Sequence, residues 1–238
     1  MTGQETRHGD PFGSPASVDF LPMHFVRDSA RLAAALLVSV GATVYVTYIS
    51  WYWTAYPLAM FDGILSPADV ANLYPSNWLT WGHASIAAVF LITNLVNRRY
   101  GEQTALGHVL ACAFILALIA LAKDFSVIKI PNAPHFAPGI REVAAFITAM
   151  TLGQAASVLV FERTRGVEWW NAPAYAALTA ALIAMPLYYV LAFAGSSWIW
   201  INHMAIDIAL KSLMAFALLI PYLLLRPFVR PKEGLGGF

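Results

Sequence analysis

Long runs of apolar residues, rather than amphipathic stripes, dominate this chain. A helix that crosses a bilayer needs about 20 mainly apolar residues, and six runs reach about that length. They lie at about residues 31–53, 78–97, 104–123, 142–162, 172–194 and 203–226. The pattern predicts an all-α polytopic membrane protein with six transmembrane helices.

The apolar runs also predict the domain organisation. Residues 1–30 are expected to form a polar cytoplasmic N-terminal tail, and residues 31–226 a six-helix transmembrane domain. Residues 227–238 are expected to form a short cytoplasmic C-terminal tail. Because the first 28 residues lack the apolar core and cleavage site of a signal peptide, the first run is interpreted as a retained span.

The positions of lysine and arginine predict the orientation. One set of connections and tails carries ten basic residues: Arg7, Arg27, Arg31, Arg98, Arg99, Arg163, Arg165, Arg226, Arg230 and Lys232. The other set carries Lys123, Lys129 and Arg141. Since cytoplasmic loops are enriched in Lys and Arg, both termini are predicted to face the cytoplasm.

Composition narrows the functional classes. The chain is 59% hydrophobic and only 11% charged, against about 25% charged residues in an ordinary soluble domain. A net charge of +1 is too small to gather nucleic acid. The predicted partners are the lipid bilayer and a small-molecule solute, with other membrane protein subunits as a further option. Cys112 is the single cysteine, so no intrachain disulfide can form.

An acid and a base inside the last apolar run are the strongest functional signal. Asp207 and Lys211 are four residues apart, which places them on one helical face in the favourable orientation for a pair. Ionisable groups in hydrocarbon cost several kcal/mol, so they are retained for function or for a compensating interaction. Two interpretations stay open: a structural ion pair, or one wall of a polar cavity near the outer side.

Other polar residues within the spans extend this hypothesis. Asn94 ends the second run, and Gln154 and Ser157 lie in the fourth. Singly, such residues usually form hydrogen bonds between helices. Together with Asp207 and Lys211 they are candidates for one substrate-binding pocket, because amide groups can recognise the edge of a nucleobase-like ligand.

Four motifs in order resemble a known family. They are Phe90–Gly101, Gly153-Gln154 leading to Val160–Arg163, Trp169–Pro173, and Asp207 through Lys211 to Pro221-Tyr222. The set resembles the queuosine precursor transporters, a vitamin-uptake-like family related in fold to the substrate-binding components of energy-coupling-factor importers. The resemblance covers roughly residues 30–226. It implies a six-helix importer of 7-deazaguanine bases in the bacterial inner membrane.

The chain departs from that family at several polar positions. The family usually has aspartate at the positions of Asn94 and Ser157, whereas Gln154, Asp207 and Lys211 agree with it. Its fifth span usually carries an Asn-x-x-Ser-Asp-Thr run, and here Ala181–Met185 are apolar. An alternative is therefore a transporter-derived structural or accessory subunit of a larger membrane complex without transport activity.

Two further classes are weaker. His83, His108 or His203 could serve as axial ligands of a haem or another pigment, but they show no paired arrangement. Neither a nucleophile–base pair nor a phosphate-binding glycine loop occurs, so the chain is not predicted to be an enzyme. No metal or cofactor is predicted. Tryptophans beside the first outer connection fit an aromatic belt, or could stack on a planar solute.

Overall fold

The computed structural model describes residues 23–54, 56–62, 74–122, 139–196 and 200–231. The α-helices are α1 (Met23–Trp53), α2 (Trp81–Ser85), α3 (Ala88–Tyr100), α4 (Glu102–Ala122), α5 (Ile140–Arg163), α6 (Asn171–Phe193), α7 (Trp200–Ala217) and α8 (Leu219–Leu225). Within these ranges the extended pairing consists of one antiparallel bridge, between Pro57 and Thr80. The all-α prediction is confirmed.

The chain separates into two compact units. Residues Met1–Leu36 form the first, which the structure describes from Met23 as the beginning of α1. Residues Leu37–Phe238 form the second, which contains the rest of α1 and all the later helices. The predicted boundaries of the two tails stay predictions, since residues 1–22 and 232–238 lie outside the described part.

Within the described ranges, five helical segments are long and apolar enough to cross a membrane. They are Ser29–Trp53, Glu102–Ala122, Ile140–Arg163, Asn171–Phe193 and Trp200–Leu225. These match five of the six predicted spans. The protein is therefore a polytopic membrane protein with a lipid environment.

The second predicted span is an interrupted helix. Residues Ile86 and Ala87 separate α2 from α3 while keeping right-handed helical angles. The backbone amide of Val89 bonds to the Ile86 carbonyl and that of Phe90 to the Ala87 carbonyl, both at 3.0 Å, so the turn is locally tightened to the 3₁₀ pattern. The apolar run predicted the length of this segment, but not its break.

Close contact between α5 and α6 explains the alanine-rich character of α6. A Cβ atom on Gly153 would lie 2.7 Å from the Ala184 Cβ atom and 2.8 Å from the Ala180 carbonyl oxygen. Ala180, Ala181 and Ala184 are fully buried in the same core cluster. Small residues let helix backbones approach closely in a membrane, and the apolar stretch of α6 is thus a helix-packing surface.

Large apolar side chains cover the outside of the bundle. On α4, Leu110, Phe114, Leu118 and Leu121 are all exposed, Leu121 by 78%. Exposed apolar area of this extent is unusual in a soluble monomer. It is the surface expected of a helix that faces lipid.

Arginines organise the end of the bundle where α3 and α5 end. Arg165 donates two hydrogen bonds to the Glu162 carboxylate, at 2.6 and 2.7 Å, and a third to the Asn97 carbonyl at 2.6 Å. Its guanidinium also lies 5.0 Å from the centre of the Phe161 ring. Arg98 donates to the Val229 carbonyl at 3.1 Å. These bonds join α3, α5 and the segment after α8.

Replacing Arg165 with lysine is expected to lower the free energy of unfolding by about 1–2 kcal/mol. An ammonium group cannot reproduce the forked contact with Glu162 together with the bond to the Asn97 carbonyl. Arg163→Lys is the matched control, because Arg163 is exposed in the same turn. Thermal unfolding in detergent measures both variants, and equal midpoints would contradict the assigned contacts.

Candidate functional site

A cavity of about 120 Å³ lies at the end of the bundle where α1 and α6 end and α2, α5 and α7 begin. This volume is somewhat smaller than the cavity of about 150 Å³ that holds a benzene molecule, so a solute larger than one small ring would need the walls to move apart. The lining of the cavity comes from all five of these helices. The residues are Ser50, Trp51, Thr54, Thr80, Gly82, His83, Ile86, Glu142, Val143, Phe146, Met185, Tyr188, Tyr189, Phe193, Asp207 and Lys211.

Asp207 and Lys211 form a buried ion pair on the wall of this cavity. The Lys211 ammonium donates to the Asp207 carboxylate, and each side chain is only 2% exposed. The Tyr189 hydroxyl donates to the other carboxylate oxygen at 3.5 Å. Desolvating two charges costs several kcal/mol per ion, and pairing with further hydrogen bonds offsets that cost.

Aromatic rings from three helices form a contiguous array along the cavity. The centroids of Trp51 and Phe146 are 6.0 Å apart, and those of Phe146 and Tyr188 are 5.7 Å apart, both edge to face. Tyr188 also contacts Tyr189 at 5.0 Å and Phe193 at 5.8 Å. Such contacts fix ring orientations and give the cavity rigid aromatic walls.

Helix α2 meets α1 closely on another wall. A Cβ atom on Gly82 would lie 2.4 Å from the Ser50 carbonyl oxygen, so glycine is needed there for the two helices to touch. The Ser50 and Ser85 hydroxyls lie 2.8 Å apart. The Thr80 backbone amide donates to Nδ1 of His83 at 3.2 Å and caps the start of α2. His83 is thereby held as the neutral tautomer with its proton on Nε2.

The predicted site residues are distributed over different places. Asp207 and Lys211 line the large cavity. Gln154 accepts a hydrogen bond of 2.5 Å from the Thr93 hydroxyl and lines a separate space of about 20 Å³. Asn94 donates to the Pro173 carbonyl at 3.1 Å, beside a space of about 10 Å³. Ser157 is buried, 1% exposed, and is outside the lining of the large cavity.

Most of the cavity lining was missing from the predicted set, including Glu142 and Phe146. Glu142 opens α5 and lines the cavity, although an acidic residue in a first helical turn is ordinarily explained by the helix dipole. Phe146 lies one turn further along the same face. Both could have been found by following the helical face that carries Gln154 and Ser157 back to the N-terminal end of the fourth predicted span.

The candidate haem ligands have other partners. His108 lies with one ring nitrogen 3.2 Å from the Ser39 hydroxyl and the other 3.2 Å from the Thr43 hydroxyl. His203 packs against Trp78, with ring centroids 4.7 Å apart. In the described ranges, no group of three or more His, Cys, Asp or Glu side chains is arranged to hold a metal ion.

A family comparison fits this architecture. Residues 80–225, more than half of the chain, match the model of a family described as "Putative vitamin uptake transporter". The chain belongs to this vitamin uptake transporter family. No curated protein and no solved structure matches it. The matched range contains α2 to α8 and most of the cavity lining, while Ser50, Trp51 and Thr54 precede it.

Family membership places the chain among solute transporters, which are not an enzyme class. The partners that this class implies are a small-molecule solute and the lipid bilayer. Among the described residues of the family range, the charged side chains that line the large cavity are Glu142, Asp207 and Lys211.

Proposed function

We propose that the protein imports a small, planar, nucleobase-like solute of the 7-deazaguanine type across the bacterial inner membrane. The observation that carries the proposal is the cavity beside the buried Asp207–Lys211 pair. Aromatic rings and polar groups both face it. Most ligand sites combine apolar walls with a few placed polar groups in this way.

The proposed direction follows from the basic residues. Arg98, Arg99, Arg163, Arg165 and Arg226 lie at the end opposite to the cavity. With both termini in the cytoplasm, as the positive-inside rule favours, the cavity faces the outer side. A solute would enter there and meet the ion pair before the tightly packed contact of α5 and α6.

The roles of the lining follow from their chemistry. The Asp207–Lys211 pair would present its polar atoms to the solute as part of the cavity wall. Tyr188, Tyr189 and Phe146 would provide ring contacts. The solute is proposed to contact Gln154, Asn94 and Ser157 only after it has moved from the cavity further into the bundle. Gln154 and Asn94 are hydrogen-bonded to partners within the chain in this structure.

Cysteine labelling tests both the sidedness and the binding. Since Cys112 is the single cysteine, Thr54→Cys can be introduced into a Cys112→Ser background. A membrane-impermeant maleimide is expected to label it in intact cells, and a 7-deazaguanine should slow the reaction because Thr54 lines the cavity. Glu168→Cys, exposed between α5 and α6, is the control: it should react only after permeabilisation and without protection. Equal labelling of Thr54→Cys with and without the base would contradict the proposal.

Two observations favour the accessory-subunit alternative. The amides of Asn94 and Gln154 bond to partners within the chain, and the apolar part of α6 is packed against α5. A recruited subunit should copurify with stoichiometric partners in mild detergent. Isolation of the tagged protein alone, from its native membrane, would instead support the importer.

A further inference from the structure

The carboxylate of Glu142 contributes a charge that the described residues do not offset. Glu142 is the third residue of α5 and lines the cavity, and no cation pairs with it in the parts of the chain that the structure describes. Its neighbour Arg141 is turned to α6, where it donates to the carbonyls of Leu191 and Ala194, each at 3.0 Å.

The formal charges of the described side chains that line the cavity therefore sum to one negative. Asp207 and Lys211 cancel as a pair. His83 contributes no charge, because its Nδ1 accepts the Thr80 amide hydrogen. Glu142 remains. A net negative charge attracts a cation and repels an anion. In a largely apolar wall both effects are stronger than in water, because the interaction is screened less.

The aromatic array adds a second attraction for a cation. Five aromatic residues line the cavity, and each contacts at least one other ring of the set: Trp51, Phe146, Tyr188, Tyr189 and Phe193. Ring faces carry negative potential, and cages of several rings bind ammonium groups in this way. The carboxylate and the rings are observed independently and favour the same kind of ligand.

We propose that the solute is an organic cation: a small ring that bears a protonated amine or quaternary nitrogen. The nitrogen lies among the rings beside Glu142, and the ring fills the cavity of about 120 Å³. This inference rests on the proposed function, because it concerns the same cavity, and it specifies the charge class of the solute. Lys211 is neutralised by Asp207 and does not repel the cation.

Binding of two matched compounds tests the inference. Benzylammonium and benzyl alcohol have similar size and shape and differ in charge. With the purified full chain in detergent, titration calorimetry is expected to show benzylammonium binding at least about tenfold more tightly. Glu142→Gln should abolish this difference. Glu168→Gln, at an exposed residue remote from the cavity, should preserve it.

The outcomes separate this inference from the proposed function. Equal affinity for the two compounds, no binding of either, or a difference that survives Glu142→Gln would each overturn the cation assignment. Uptake of a neutral 7-deazaguanine in any of these cases would still support the importer. Conversely, cation binding without any solute uptake would sustain the inference about the cavity and contradict transport. A thermal unfolding midpoint of Glu142→Gln equal to that of the wild-type protein would verify that the variant is folded.

Discussion

Replacing Lys211 with methionine is expected to destabilise the protein by about 3–5 kcal/mol. The substitution leaves Asp207 buried without its cation, and breaking one side of a buried pair has a cost of this order. Asp207 is 2% exposed and retains the long bond from the Tyr189 hydroxyl, and among the described residues the hydrogen-bond donor that remains is that hydroxyl. The free energy of unfolding can be measured by titration with SDS in mixed micelles.

The double variant Asp207→Asn/Lys211→Met separates structure from function. Removing both charges is expected to restore most of the stability, because well-packed neutral groups often replace a buried ion pair at little cost. If the pair serves transport, uptake stays absent in this stable double variant. Normal uptake would show that the pair only fastens α7 to its neighbours. A single Lys211→Met variant as stable as the wild type would contradict the buried contact itself.

The second large effect concerns the contact of α5 with α6. Gly153→Ala is expected to destabilise the protein by about 1–3 kcal/mol, the usual cost of overpacking. The new Cβ atom would lie 2.8 Å from the Ala180 carbonyl oxygen, and a backbone atom can yield only if the helices separate. The SDS titration applies here as well.

Gly107→Ala provides a control with the opposite sign. Gly107 is exposed on α4, and no atom lies within 4 Å of the Cβ that alanine would add. Alanine favours a helix over glycine by up to about 1 kcal/mol, so this variant should be unchanged or more stable. A similar loss for both substitutions would mean that the α5–α6 contact is looser than described.

The apolar runs were sufficient to predict five membrane-spanning helices, because length and hydrophobicity decide which segments can cross a bilayer. They could not predict the break at Ile86 and Ala87, which depends on local backbone geometry and on the close approach of Gly82 to Ser50. Nor could they show that Ala180 and Ala184 form a packing surface, since alanine is equally compatible with lipid or protein contact.

The candidate site was predictable only in part. Helical spacing sufficed to pair Asp207 with Lys211. Spacing could not decide whether Asn94 and Gln154 face the same cavity, because that depends on how separate helices are rotated. The aromatic array joins Trp51, Phe146 and Tyr188, which are far apart in sequence and meet only through tertiary packing. Glu142 was hidden by its ordinary position at the start of a helix.

Uptake into proteoliposomes that contain only this protein tests the central claim most directly. With a labelled 7-deazaguanine, the wild-type protein is expected to take up the solute. The uptake rate of the stable Asp207→Asn/Lys211→Met variant is expected to be at least about tenfold lower, which is equivalent to about 1.4 kcal/mol. Uptake by both proteins at equal rates would remove the ion pair from the transport path. No uptake by the folded wild-type protein would contradict the proposed import of such a solute.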